Sequence, residues 1–458
     1  MESKTKKQTV KPLAKFNLQH ALEEAQRCLL CHDAPCSKGC PAGTDPGKFI
    51  RQLRLRNIKG AIRTIRKNNI LGGICAEVCP VCQLCVEHCS RTGIDRPIMI
   101  NQIQSFLMNH QHEIKFKVFD KSSTPASKKK IAIIGSGPSG LSCAAQLSLL
   151  GHEAVIYEQN EKPGGLLTYG IPYMRLNPET LSNDIKEVTS LGVKIKCGSK
   201  LSGKNAINDL LKKSYDAVFI ACGLHEANTL KISGSELNGN YKWSDFLEMS
   251  NDPKLRAKAA KTLAGKNAAI IGGGSVAIDA ALSAKKLGAD KVYLISLEAL
   301  DELPADIEEI ELAHKNGIIF KPQCRVVKIT GDGKKVSGLE GVETEWIKKD
   351  EPLVPSNARD VEGCEFSIKI EAIVHAIGSR VDDGTLEMLK GAGVKISADN
   401  KAIVDCDYHT NNPKVFAGGD MIASKRKLNT VVAAVYDGKT AAMAIDNFLT
   451  STKKGGIK

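Results

Sequence analysis

Two short apolar runs each end in a glycine-rich loop. Ile131 to Ile134 leads into Gly135-Ser-Gly-Pro-Ser-Gly140, and Ala268 to Ile271 leads into Gly272-Gly-Gly-Ser-Val-Ala277. A helix-compatible stretch follows each loop, and a second apolar run then closes on an acid, Glu158 or Glu298. Strand, glycine loop, helix and strand make a βαβ unit, so the chain is expected to carry two parallel-sheet nucleotide-binding units.

The glycines have separable tasks. Gly135 allows the turn, Gly137 lets the backbone approach a pyrophosphate, and Gly140 permits tight packing of helix on strand. Glu158 lies where an acid would reach a ribose hydroxyl. A ligand-free glycine turn is the alternative reading. In the second loop Gly272 and Gly274 are followed by Ala277 in the third slot, and Glu298 is the candidate ribose reader. A carboxylate there repels a 2′-phosphate, which favours NAD over NADP, unless Glu298 is simply a solvated acid. Two loops suggest a flavin and a nicotinamide on one polypeptide.

Nine of the fifteen cysteines fall between Cys28 and Cys89. They run Cys28-x2-Cys31-x4-Cys36-x3-Cys40-Pro41, then Cys75-x3-Cys79-Pro80-x-Cys82-x2-Cys85-x3-Cys89. Short cysteine loops with Cys-Pro suit cubane clusters, and nine sulfurs exceed one zinc tetrahedron. Two [4Fe–4S] clusters are the favoured reading; zinc and unligated thiols stay open. Cys143, Cys197, Cys222, Cys324, Cys364 and Cys406 are scattered and are expected as small buried hydrophobes. Disulfide-reductase chemistry is disfavoured, because no CxxxxC follows Gly164-Gly165-Leu166-Leu167 and the second unit has no CxxC.

At 458 residues the chain suits about three domains. No apolar run nears the roughly 18 residues that span a bilayer. The first ten residues are polar and show no secretory signal, so a cytoplasmic or similarly reducing location is expected. The net charge of +13 is concentrated early, with 15 Lys and Arg against 5 Asp and Glu in residues 1–70. Nucleic-acid binding is one reading of such a patch, but no aromatic stacking platform or groove-reading motif accompanies it. Basic surroundings that stabilise anionic clusters, or attract an acidic partner surface, are the favoured reading of the charge.

The stretch LCHDAPCSKGCPAGTDPGKFI, residues 30–50, resembles the electron-input subunit of bacterial NAD-dependent dihydropyrimidine dehydrogenase and the N-terminal half of the single-chain eukaryotic enzyme. It is more distantly similar to the small subunit of glutamate synthase. The likeness runs from about Phe16 to Leu449 and includes Pro163-Gly-Gly-Leu166, Tyr169-Gly-Ile-Pro172, residues 297–305 (LEALDELPA) and Val415-Phe-Ala-Gly-Gly-Asp420.

The resemblance implies an α/β fold. Two Rossmann-like domains, for FAD and NAD, are preceded by an α-helical iron–sulfur domain. The implied boundaries are 1–119 for the cluster domain, 120–129 for a linker, 130–265 and 367–458 for the FAD domain, and 266–366 for an inserted NAD domain. It implies hydride transfer from NADH to FAD and single-electron passage through two [4Fe–4S] clusters. The electrons then reach an FMN-bearing partner subunit that reduces uracil or thymine, in a heteromer expected to be a heterotetramer, with neither nucleic acid nor membrane as partner. By matching motifs, one cluster falls on Cys28, Cys31, Cys36 and Cys89, and the other on Cys40, Cys79, Cys85 and Gln104. Gln104 favours the pyrimidine branch, since glutamate-synthase-type subunits tend to place a glutamate there. Gly165 and Leu166, Asp420, Thr430 and Val431 are implied flavin neighbours.

No catalytic acid or base is expected in this chain. Cys82 departs from the pattern by creating a ferredoxin-like run from Cys79 to Cys89; Cys75 and Cys82 are otherwise spectators. The rivals are a glutamate-synthase-like or ferredoxin-linked oxidoreductase subunit and, from another class, a zinc- or cluster-containing nucleic-acid-binding protein.

Overall fold

The computed structural model describes residues 16–119, 127, 129–348, 354–424 and 429–451. Of the linker expected over 120–129, only Ser127 and Lys129 lie among them.

The N-terminal region is helical: Leu18–Gln26, Pro35–Lys38, Pro46–Arg54, Ile58–Asn68, Gly72–Val78 and Ile100–Glu113. The stretch from Pro46 to Asn68 is divided between two of these helices. Asp45 accepts from the Lys48 amide and Pro46 occupies the first turn, a favourable start. Arg56 takes a left-handed φ of 60°, and Asn57 begins the next helix by accepting from the Gly60 amide at 2.9 Å. Phe49, Ile50, Leu53, Ala61, Ile62 and Ile65 are buried in one core, while the basic residues between them, Arg66 excepted, face outward.

A parallel five-stranded sheet follows, in the order Val415–Ala417, Ala217–Ile220, Lys130–Ile134, Glu153–Tyr157, Lys194–Lys196. Its inner strands are continuous apolar runs because helices cover both faces. The second sheet, also parallel, runs Asn240–Lys242, Ala372–His375, Ala268–Ile271, Val292–Ile295, Ile319–Lys321. Two of its strands lie outside the 266–366 interval expected for the inserted unit. Ala372–His375 runs toward a glycine much as Ala217–Ile220 does, and the sequence does not show which sheet such a strand joins. An antiparallel sheet of Cys324–Gly331, Val336–Trp346 and Ala358–Ile368 flanks the second unit, and the pair Glu226–Ala227 with Ser379–Arg380 joins the two crossings between units.

The helical region is pinned to the first unit by a buried ion pair. Arg66 Nη1 lies 2.7 Å from Asp184 Oδ1, with side chains 0% and 1% exposed. Arg66 Nε also donates to Gln111, and Asp184 Oδ2 accepts from the Ile74 amide. Removing one partner would strand a buried charge, at a cost of about 3–5 kcal/mol. Among the described residues no helix is long and apolar enough to cross a membrane.

Candidate functional site: two dinucleotide loops and two cysteine cavities

Gly135 has φ 101°, and a Cβ built there would lie 2.4 Å from the Ala221 carbonyl oxygen; at Gly140 it would lie 2.0 Å from that of Gly135. Gly137 meets no neighbour and faces open space. The helix Pro138–Leu149 starts without a side-chain cap, leaving its first amides for a ligand. The Ser139 hydroxyl in that first turn is buried with no hydrogen-bond partner. An open glycine, free amides and an orphaned hydroxyl fit a pyrophosphate.

Glu158 is buried. Its Oε2 accepts from the Ser136 amide at 3.0 Å and from the Ser136 hydroxyl, and its Oε1 accepts from the Asn160 amide. The carboxylate thus braces the loop as well as standing where a ribose would lie. The Ser136 hydroxyl in turn accepts from the Gly164 amide, and a Cβ on Gly165 would come within 3.1 Å of Gly137 Cα. Gly165 is therefore packed against the first loop, whereas Leu166 packs against the core of the second unit.

Asp420 follows Gly418 and Gly419, which sit on Ser139 of the same loop. The Gly419 amide donates to Asp437 at 2.9 Å, and the Tyr408 hydroxyl donates to the other oxygen of that carboxylate. Asp437 was missed by sequence reasoning; a fully buried acid in the Ala- and Val-rich helix Val431–Ser451 was the available signal. Thr430 accepts from the Ala433 amide at the start of that helix, with Val431 beside it.

The second loop repeats the construction. Gly272 has φ 131° and a Cβ there would lie 2.3 Å from the Ala376 oxygen, Gly274 is open, and Ala277 is buried. The helix Ser275–Lys286 again starts without a side-chain cap. A Cβ on Gly273 would lie 3.1 Å from Glu298 Oε2, so the half-buried Glu298 carboxylate flanks the loop. Arg175, from the first unit, crosses to Asp279 of this helix at 2.7 Å and to Glu309 at 2.7 Å. Burial pushes the Asp279 carboxyl up to about 6 despite that guanidinium. Nothing in the spacing of Arg175 and Asp279 announced their meeting.

The cysteines separate into two groups. Cys28, Cys31, Cys36 and Cys89 line one cavity. Cys40, Cys75, Cys79, Cys85 and Gln104 line a second, together with Val432. Segments far apart in sequence are clamped to make the first. Buried Glu24 accepts from Arg27, from Arg96 and from the Met99 amide, tying residues 91–99 to the first helix beside Cys28. Amide donors reach the sulfurs, from Ile98 to Cys89 and from Thr44 to Cys40, both at 3.5 Å.

Burial pushes the Cys36 thiol up to about 11, with Cys28, Cys89 and Cys31 adding to it. Burial likewise takes Cys85 to about 12, helped by Cys40 and Cys36. Cys79 is raised first by its hydrogen bond with Cys75 and then by burial. Metal ligation replaces such thiol protons. Among the described residues no three His, Cys, Asp or Glu side chains close on a single ion position. Thiols spread around a cavity suit a bulky cluster better than one tetrahedral zinc.

Cys82 lines neither cavity and bonds instead to Glu308 Oε1 at 2.9 Å. Gln104 is buried at the second cavity with its amide nitrogen donating to the Gly72 carbonyl at 2.7 Å, which fixes the side chain. Of the scattered cysteines only Cys143 and Cys324 are buried, and Cys406 is exposed; all fifteen are free thiols.

The family model for pyridine nucleotide-disulphide oxidoreductases matches residues 129–438. The model for dihydropyrimidine dehydrogenase domain II, 4Fe-4S cluster, matches residues 4–116. The NAD-dependent dihydropyrimidine dehydrogenase subunit PreT of Salmonella typhimurium is 35% identical over 94% of this chain and 94% of its own length. The glutamate synthase [NADPH] small chain of Escherichia coli is 29% identical over 95% of this chain and 92% of its own. Among solved structures, Mycobacterium tuberculosis FprA (a His57Gln mutant) aligns with a TM-score of 0.59 at 17% identity, covering 72% of this chain and 86% of that one; this likeness concerns the fold.

Proposed function

The chain belongs to the pyridine nucleotide-disulphide oxidoreductase family, in the branch with an N-terminal iron–sulfur domain of the dihydropyrimidine dehydrogenase type, and from that premise we propose that it is the NADH-oxidising subunit of a dihydropyrimidine dehydrogenase. It is an oxidoreductase of the NAD(P)H-, FAD- and 4Fe-4S-dependent kind. When bound, the flavin accepts hydride from the nicotinamide, and iron–sulfur clusters accept and release single electrons.

The observation that carries the reading is the pair of cysteine cavities. Val432, next to the implied flavin neighbours Thr430 and Val431, lines the second cavity; Ile100 lines both. This supports an order in which the Cys40 set lies on the flavin side and the Cys28 set beyond it. We assign one cluster to Cys28, Cys31, Cys36 and Cys89, and another to Cys40, Cys79, Cys85 and Gln104. The first loop orients FAD through Gly137, Ser139 and the braced Glu158. The second loop holds NADH, with Glu298 against the ribose. The electrons leave for an FMN-bearing partner that reduces uracil or thymine, in the reducing setting of the cytoplasm.

Anaerobic purification with flavin and iron analysis tests this directly. One FAD and iron for two clusters per chain are expected, with NADH-dependent uracil reduction once the partner is added. A colourless zinc protein would end the proposal, and use of 2-oxoglutarate with glutamine would favour the glutamate-synthase reading. Two variants sharpen the ligand sets. Gln104→Ala is expected to change one cluster's EPR signal while FAD stays bound. Cys82→Ser is expected to leave iron content and both signals unaltered; loss of half the iron would instead assign the run from Cys79 to Cys89 to one cluster.

A further inference from the structure

Beside the first cysteine cavity lies an open cleft of about 790 Å³, its wall including Lys38, Lys48 and Arg51. Cys31, Ala34 and Gly47 line both the cavity and the cleft, so a single layer of residues separates them. We propose that this cleft and the basic helical face next to it are the docking site for the acidic surface of a one-electron protein acceptor. The inference rests on the electron-transfer reading above and adds to it the place and the charge of the partner.

The charge is one-sided. Between Pro46 and Asn68 there are eight Lys and Arg and no Asp or Glu. Arg66 is committed to Asp184, and the other seven are exposed. The two acids of the cleft are already engaged. Asp33 pairs with Lys38, and Asp45 accepts from the Ser37 hydroxyl at 2.8 Å and from the Lys48 amide at 3.2 Å. Lys48 and Arg51 make no ion pair among the described residues. Leu55, at the turn between the two helices, is 75% exposed, giving the basic face an apolar point of contact. Arg54 donates to the Cys28 carbonyl at 3.1 Å, so the face is joined to the loop that carries the first thiols.

A one-signed face focuses field toward an oppositely charged partner and raises its encounter rate by roughly 10- to 1000-fold at low salt. Here that face lies beside the wall shared with the cavity that Val432 does not line. One NADH yields two electrons and one proton as it becomes NAD+. Two acceptor molecules each take one electron, and the proton goes to solvent.

Flavodoxin, a small acidic one-electron carrier, is the probe, with basic cytochrome c as its opposite. The anaerobic bleaching of bound flavin by NADH is the internal reference. In the double variant Lys48→Glu with Arg51→Glu, kcat/KM for flavodoxin reduction is expected to fall at least about tenfold. Flavin bleaching should be unchanged, and the residual rate should lose most of its dependence on salt. The same charge change on the remote exposed residues Lys258 and Lys261 should leave the flavodoxin rate within about twofold. Bleaching that persists while the Lys48/Arg51 variant reduces flavodoxin normally would overturn the docking site and leave the flavoprotein reading intact. So would a cytochrome c rate that falls by the same factor as the flavodoxin rate in the Lys48/Arg51 variant, since a basic carrier gains nothing from a basic face. Loss of bleaching in the wild-type holoprotein would instead strike the electron-transfer reading, and this proposal with it.

Discussion

The two glycine loops share a backbone plan and differ in how their acids are used. In the first, Glu158 is buried and both its oxygens accept hydrogen bonds from Ser136 and Asn160. In the second, Glu298 is half-buried beside Gly273, and its carboxylate accepts no hydrogen bond among the described residues. An internally braced loop is formed before its ligand arrives and loses little order on binding, which suits a cofactor that stays. An acid left open keeps its lone pairs for a ligand that enters and leaves each cycle. On the proposed assignment, the same motif is finished differently for a resident flavin and an exchanging nicotinamide.

The largest expected effect comes from filling the space that both loops keep clear. Gly140→Ala would put a methyl 2.0 Å from the Gly135 carbonyl oxygen, a backbone atom that cannot swing away. FAD should be absent from the purified variant, and stability should fall by about 1–3 kcal/mol. Gly272→Ala would meet the Ala376 oxygen at 2.3 Å and also forces a side chain into φ 131°. That variant should keep its yellow colour and lose flavin bleaching by NADH. If both variants lose FAD, the loops do not serve separate ligands.

A smaller effect tests the brace itself. Glu158→Ala removes the acceptor of the Ser136 and Asn160 amides and of the Ser136 hydroxyl. Unsatisfied buried donors cost about 1–3 kcal/mol each when water cannot replace the partner. Thermal unfolding of the apoprotein should therefore shift to lower temperature, as well as FAD affinity falling. Glu298→Ala should leave the melting temperature within about 1 °C, because an open acid away from buried partners contributes little. Equal shifts in the two variants would erase the distinction between braced and open acids.

The features legible in the sequence are those set by short-range backbone demands. Gly135, Gly140 and Gly272 announced their roles because carbonyl oxygens stand where their side chains would be. The thiol sets could be matched only through a family likeness, since Cys89 reaches Cys28 through Glu24 and Arg96, contacts that span some seventy residues of chain. Strand Ala372–His375 joins the second sheet although it lies beyond residue 366, which stayed hidden because an apolar run ending in glycine looks the same in either sheet. Asp437 and the Arg175–Asp279 pair remained hidden for a related reason. A buried acid is recognisable only when its partner is known, and those partners lie 18 residues away at Gly419 or in the other unit.

The smallest change in free energy, and the sharpest in specificity, is expected from Glu298→Arg. With the carboxylate in place, the 2′-phosphate of NADPH would meet a like charge, while the ribose hydroxyls of NADH would meet an acceptor. Arginine reverses both terms, because its guanidinium can take the phosphate in a two-point contact. The ratio of kcat/KM for NADH over NADPH should fall by roughly 10- to 100-fold, about 1.4–2.7 kcal/mol, with flavin content and both cluster signals unchanged. The corresponding Glu158→Arg would not give a clean switch, since it would place a charge in a buried cage built to receive a carboxylate. An unchanged cofactor preference in Glu298→Arg would remove Glu298 from the ribose site and move the reader of the 2′ position elsewhere on the loop after Val292–Ile295.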